Sequence, residues 1–241
     1  MKKIIISSLL LAGLSQAATT VTTQVASGPD SVVDAFTPSS TDLAQIGSPA
    51  ISTRTLNVEG AFGDNNVNDF GNGISTNTSP NRGNFFRPQE FALSPTLDLV
   101  FDTSVNTLGY DIESITTIAA WFNNGASLAN QQYQLSFSLV DNAAFTALPE
   151  TIFVPFDGAT EPFSGATQVT HTGEAGAPLI ASGVDAIRIT FLDHGVINGG
   201  VNGTVFQEVD VEGVATVAVP EPSSLALLGL ACTGFLVRRR S

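Results

Sequence analysis

Tyr133, Leu135, Phe137 and Leu139 alternate with Gln132, Gln134, Ser136 and Ser138. In an extended chain successive side chains point to opposite faces, so this period of two predicts a half-buried β-strand. Weaker versions recur along the chain: Leu56 with Val58, then Leu97, Leu99 and Phe101, then the stretches 184–191 and 204–214. The run 112–122 is more continuously apolar and reads as a buried central strand, and 152–156 and 168–172 add two more. Turn chemistry separates them, as in Asn123-Asn124-Gly125 and Asp157-Gly158. No helical period is sustained away from the two ends of the chain, and no internal repeat is present. The pattern predicts an all-β fold: a single β-sandwich, jelly-roll-like, over residues 53–216. Residues 18–52 read as a Thr-, Ser- and Pro-rich arm holding at most one edge strand, with Val21, Val25, Val32 and Val33 as its strand-like points.

The two ends differ from this body. Lys2 and Lys3 precede an apolar run over 4–14, and Ser15-Gln16-Ala17 offers the small residues that a signal peptidase reads. Residues 1–17 are therefore expected to be a secretory signal peptide, cleaved after Ala17. At the other end, 217–241, Pro220-Glu221-Pro222 leads into an apolar run over 225–237, and the chain stops on Arg238, Arg239, Arg240 and Ser241. At about 1.5 Å per residue that run spans only ~20 Å, against a hydrocarbon layer of ~30 Å. A transmembrane helix over 223–237 therefore spans only with Ser223 and Ser224 in one interface and the arginines reaching phosphates at the other. Arginines resist transfer across a bilayer, so the tail is held with its end in the cytoplasm. Cys232, the sole cysteine, reads as a small apolar residue of this helix.

Pro-Glu-Pro, a short apolar helix and an arginine cluster, in that order, resemble the PEP-CTERM sorting signal of exported bacterial proteins. The resemblance implies an address: export, temporary tethering in the inner membrane, and cleavage near Pro220-Glu221-Pro222 by an exosortase. The protein would then reside at the cell surface or in the extracellular matrix.

Charge narrows the partners. Five of the nine basic residues belong to the two end signals, leaving Arg54, Arg82, Arg87 and Arg188 against 21 of the 22 carboxylates. Four against 21 gives the exported part a formal charge of −17. Binding a phosphate backbone needs clustered Lys and Arg, so nucleic acid is excluded as a partner. Divalent cations and neutral polymers fit such a surface. The exported part has no cysteine, so its stability must come from packing and bound ions rather than disulfides.

The strings 121–125 and 132–138, and the later pair 183–189 and 207–213, resemble discoidin-like, or galactose-binding-like, jelly rolls. These domains close with a Glu-apolar-acidic-Val-x-Gly strand after a strand carrying an arginine, here Gln207 to Gly213 after Arg188. The resemblance implies loop-borne ligand binding and a structural calcium ion held in part by Glu208. The chain departs from it on the N-terminal side, where a long Asn- and Gly-rich stretch replaces the usual Asp-Gly loop.

Candidate chemistry is sparse. Asp64, Asn66 and Asp69 place oxygen side chains at intervals that hard cations use, although a turn-rich surface loop outweighs a calcium loop about two to one. Glu208 is a separate calcium candidate, against a rim salt bridge or a solvated carboxylate. No other cofactor is expected. His171 and His194 are the only histidines, lack partners at metal or nucleophile spacing, and read as surface residues. Some pair of carboxylates could serve a glycosidase, but sequence does not give their separation. For a neutral sugar, Arg82, Phe86, Arg87 and Trp121 supply aromatic faces and hydrogen-bond donors in loop-like surroundings. Trp121 reads first as a core residue and second as a sugar platform. The expected function is that of a non-enzymatic, exported, polysaccharide-associated β-sandwich. A carbohydrate-active enzyme and a purely structural surface component are the alternatives.

Overall fold

The computed structural model describes residues 19–28, 34–57, 84–86, 94–121, 126–154, 164–192 and 204–218. The two end signals lie outside the described residues, as do Asp64, Asn66, Asp69, Arg82, Arg87 and His194.

Among the described residues ten antiparallel strands carry the fold: β1 (Thr19–Gly28), β2 (Ile51–Asn57), β3 (Asn84–Phe86), β4 (Thr96–Phe101), β5 (Tyr110–Trp121), β6 (Gln131–Leu139), β7 (Asn142–Val154), β8 (Ser164–Gly173), β9 (Ala181–Phe191) and β10 (Thr204–Ala215). A 3-10 turn covers Ala126–Ala129. The protein is all-β.

The pairing runs β1-β8-β5-β10-β3 on one side and β2-β4-β9-β6-β7 on the other. A short junction, where Tyr110 and Ile112 of β5 meet Val184 and Ala181 of β9, joins the two halves into one sheet that folds over on itself. Contacts across the fold show the layers facing each other: Tyr133 of β6 packs edge-on against Phe206 of β10, and Phe191 of β9 lies 4.7 Å from Phe206, centroid to centroid. The period of two decides what fills the gap. Leu97, Leu99 and Phe101, then Tyr133, Leu135 and Phe137, then Ile187, Ile189 and Phe191 from one layer meet Ile115, Val169, Phe206, Val209 and Val211 of the other.

The reading of β6 as half-buried needs correction, since Ser136 and Ser138 on its polar face are buried as well. Ser136 lies between Ala147 and Arg188 and Ser138 beside Ala186, and the Ser138 hydroxyl donates to Asp185.

Residues 34–50 close the outer face of the first layer. Phe36 packs on Ile118, Ala120 and Ala166, which point away from the main core. Leu43 N–H donates to Val211 O at 2.7 Å, so this segment covers the β10 edge beyond the three residues of β3. A glycine is required at the layer junction. Gly109 has φ +77°, and a Cβ there would sit 2.7 Å from the backbone of Gly183 and Val184. Asp111 braces the same corner, accepting from Ser182 Oγ at 2.5 Å and Thr216 Oγ1 at 2.6 Å.

Candidate functional site

Strand direction gathers loops at one end of the sandwich. β5 ends at Trp121 opposite Gly165, near the start of β8, and β10 begins at Thr204, which pairs with Phe86 at the end of β3. In the second layer β9 ends beside the start of β6, with Leu192 N–H donating to Gln132 O, and Phe191 N–H reaches Pro95 O just before β4. The strand ends that feed the connections 58–83, 87–93, 122–125, 155–163 and 193–203 therefore all lie at this end. Binding groups are most readily carried by loops displayed from a rigid scaffold end.

Two of the sugar-site candidates meet here by register. Phe206 pairs with Ala119, so Trp121, two residues on, lies level with Thr204, and Thr204 pairs with Phe86. Only β10 separates the two aromatic positions. Trp121 stays half-exposed rather than joining the core, because it is the last residue of its strand.

Beneath this end lies a buried polar chain. Thr117 Oγ1 donates to Gln131 Oε1 at 2.7 Å and lies 3.0 Å from Tyr133 Oη, which lies 2.9 Å from His171 Nε2. Gln131 Nε2 donates to Thr167 Oγ1 and O at 2.9 and 3.0 Å, and Thr167 Oγ1 donates to Ala129 O. One arrangement of protons satisfies the chain: His171 Nε2–H donates to Tyr133, Tyr133 to Thr117, and Thr117 to Gln131. The lone pair of His171 Nδ1 is then the unpaired atom, in accord with its lack of a partner among the described residues. His171 is thus no surface residue. It is 1% exposed, and burial pushes its pKa down to about 4. Burial raises the Tyr133 phenol, with the Thr117 contact opposing in part. The signal for burial was present: His171 shares the parity of Val169, which faces the core.

A second polar cluster lies on the outward face of β10. Glu208, a calcium candidate weighed against a rim salt bridge or a solvated carboxylate, is fully buried, and its Oε1 accepts from Val209 N–H at 3.2 Å. Bulging of β10 at Gln207 turns Glu208 and Asp210 onto the face that residues 34–50 cover. Asp210 Oδ2 accepts from Ser39 N–H at 3.0 Å, and Asp42 Oδ1 accepts from Ala44 N–H and Val211 N–H at 2.7 and 3.1 Å. Desolvation pushes Asp210 up to about 7, against the Ser39 bond and helped by the charges of Asp42 and Glu212. Asp42 is raised for the same first reason. Arg54 supplies compensation: its Nη2 donates to Ala44 O, and it sits in the field of Asp42 and Glu208 while burial lowers its own pKa. Sequence gave no hint of this cluster, because Asp42 lies in an irregular segment.

The site candidates thus separate. Glu208 lies in the field of Arg54, and among the described residues no group of three or more acidic, His or Cys side chains could hold a metal ion. Arg188 is turned outward on β9, where it forms a bidentate pair with Asp98 at 2.7 Å and 2.7 Å and stacks over Phe145. Among the described residues no helix is long and apolar enough to cross a membrane.

The comparisons with known proteins bear on the tail. Residues 218–240 match the PEP-CTERM protein-sorting motif. That motif marks an exported protein processed at the membrane, and it implies an exosortase as the processing enzyme. Among solved structures, the F5/8 type C domain of a Bacteroides fragilis protein is similar at 13% identity and TM-score 0.39, covering 68% of this chain and 93% of that one. No curated protein matches the chain.

Proposed function

We propose that the chain is a non-enzymatic, exported surface or matrix protein that binds neutral extracellular polysaccharide through the loop-bearing end of its sandwich. In this reading residues 1–17 are removed after Ala17, the helix over 223–237 holds the precursor in the inner membrane, and an exosortase cuts near Pro220-Glu221-Pro222. The observation that carries the reading is the sorting motif over 218–240, which directs an all-β body to the cell exterior. Trp121 and the β3 terminus at Phe86, flanked by Arg82 and Arg87 in sequence, supply the ring face and donors that a sugar needs. The described histidine is sealed beneath this end with its Nε2 held by Tyr133 inside the protein, which favours binding over catalysis. Calcium is assigned to the stretch holding Asp64, Asn66 and Asp69.

Affinity electrophoresis through gels cast with neutral polysaccharides tests the binding. The wild type is expected to be retarded, Trp121→Ala and Arg87→Ala to run free, and no sugar product to accumulate on incubation. Unretarded migration of folded wild type across a broad glycan panel, or release of product, would overturn the reading. Sorting has its own readout. Replacing the Pro-Glu-Pro triplet should leave uncleaved precursor in the membrane, whereas wild-type exported protein should lack the residues after the cut by mass spectrometry.

A further inference from the structure

A sheet that ends must protect its outermost strands, because a row of unpaired N–H and C=O groups is a template for another strand. Among the described residues, three of the four outermost strands carry such protection. β2 has a register irregularity between Ile51 and Thr53 and bears Arg54. β7 has two irregularities against β6 and contains Pro149 and Glu150. β3 is only 3 residues long.

β1 has none. It pairs with β8 through 10 consecutive residues without a register shift, and its sequence, TTVTTQVASG, holds no charge and no proline. Thr20 through Val25 are exposed, Val25 at 55% and Val21 at 36%. In an exported part of formal charge −17, a long uncharged strand edge is a surface on which two copies can approach without setting carboxylate against carboxylate.

We infer that β1 is a self-association edge, on which a second copy of this chain adds its own β1 in antiparallel register to continue the sheet across a two-fold axis. The inference goes beyond polysaccharide binding and does not depend on it. The register follows from the strand. The outward backbone groups of β1 belong to alternate residues, so a self-pairing must match residues of like parity. Of the registers this allows, the one that puts Thr23 on the axis aligns residues 19–27 with their copies and sets Val21 directly opposite Val25 of the second copy, twice over. Cross-strand pairs of β-branched residues are favourable. A single strand pairing buries less than the ~1,200 Å² of a standard stable interface, so the dimer is weak and concentration-dependent. Salt should strengthen it by screening the acidic bodies.

The register can be read by cross-linking the full-length chain, purified in detergent with Cys232→Ser. Cα atoms directly opposite in an antiparallel pair are ~4.5–5.5 Å apart, within the Cα range that a disulfide bridges. Thr23→Cys alone should therefore give a covalent dimer on mild oxidation. Val21→Cys alone and Val25→Cys alone should not, while the two together should. In sedimentation, the Cys232→Ser chain should pass from monomer to dimer with concentration, more readily at about 0.5 M than at about 0.05 M NaCl. Val25→Lys should weaken dimerisation by about tenfold or more, with an unchanged melting transition showing that the fold is kept. Three results overturn the inference: a monomer at every concentration and salt, cross-linking indifferent to which position carries the cysteine, or dimerisation untouched by Val25→Lys. A monomeric chain that captures only foreign strands would likewise overturn it and reassign the edge to another partner.

Discussion

His171 and Asp210 titrate in opposite directions from one cause, desolvation, because one is cationic and the other anionic when charged. His171, brought down from 6.5 to about 4, stays neutral in the fold while the unfolded chain takes up a proton, so its contribution to stability falls as pH drops from 6.5 towards 4. Asp210, brought up from 3.8 to about 7, keeps its proton in the fold, so its contribution is full below 3.8 and is lost as pH rises to 7. Asp42 is displaced in the same direction as Asp210. Between pH 4 and 6.5 the slopes of His171 and Asp210 oppose each other, each worth about 1.4 kcal/mol per pH unit. Chemical denaturation across this range should expose them singly: Asp210→Asn should grow more stable as pH rises, and His171→Gln less stable. Parallel profiles for the two variants would contradict these assignments. His171 was read as a surface residue, although its parity with Val169 on one strand points to the core. Asp42 and Asp210 carry no such signal, because their burial depends on where an irregular segment lands rather than on any period.

Elements with a clean alternation were legible to within a residue or two, because a one-residue slip would turn their whole apolar set to the wrong face. The run Leu97, Leu99, Phe101 became β4, 184–191 fell within β9, and 204–214 became β10 with its bulge at Gln207. The first half of β7, Asn142 to Leu148, escaped notice because an outermost strand need not alternate, and its exposed Asn142, Ala143 and Ala144 show no oily face. β3 lies beside an Asn- and Gly-rich stretch whose composition speaks only for turns. The segment 34–50 was read as part of a loose arm, yet it supplies Phe36 to the outer face of β5 and β8 and Leu43 to the β10 edge. Phe36→Ala should therefore cost about 3 kcal/mol in an equilibrium unfolding experiment, in the range for truncating a buried aromatic. A cost within ~0.5 kcal/mol would mean that the segment is not packed there. Gly109→Ala should be destabilising by about 1–3 kcal/mol, because its left-handed φ and the approach of Gly183 both exclude a side chain.

On the scale of the whole molecule, charge and address combine. The sorting motif over 218–240 marks an acidic body for export; Asp98 pairs with Arg188, and Arg54 lies in the field of Asp42 and Glu208. Self-repulsion at a formal charge of −17 lowers the stability of the compact state, and any cation that binds the folded form alone raises it by mass action, by ~2.7 kcal/mol at a hundredfold excess over the dissociation constant. Screening and specific binding differ in what they demand. Screening depends on ionic strength and treats calcium and magnesium alike, whereas a calcium site tolerates the longer, flexible oxygen coordination that magnesium disfavours. Calcium should accordingly raise the melting temperature by more than magnesium at equal ionic strength. Asp64→Ala with Asp69→Ala should remove that excess and leave the screening part, whereas Glu208→Ala should lower the baseline melting temperature while keeping the calcium increment, since Glu208 is buried in the field of Arg54. Equal responses to the two ions would reduce the effect to screening, and loss of the calcium increment in Glu208→Ala alone would move the site to β10.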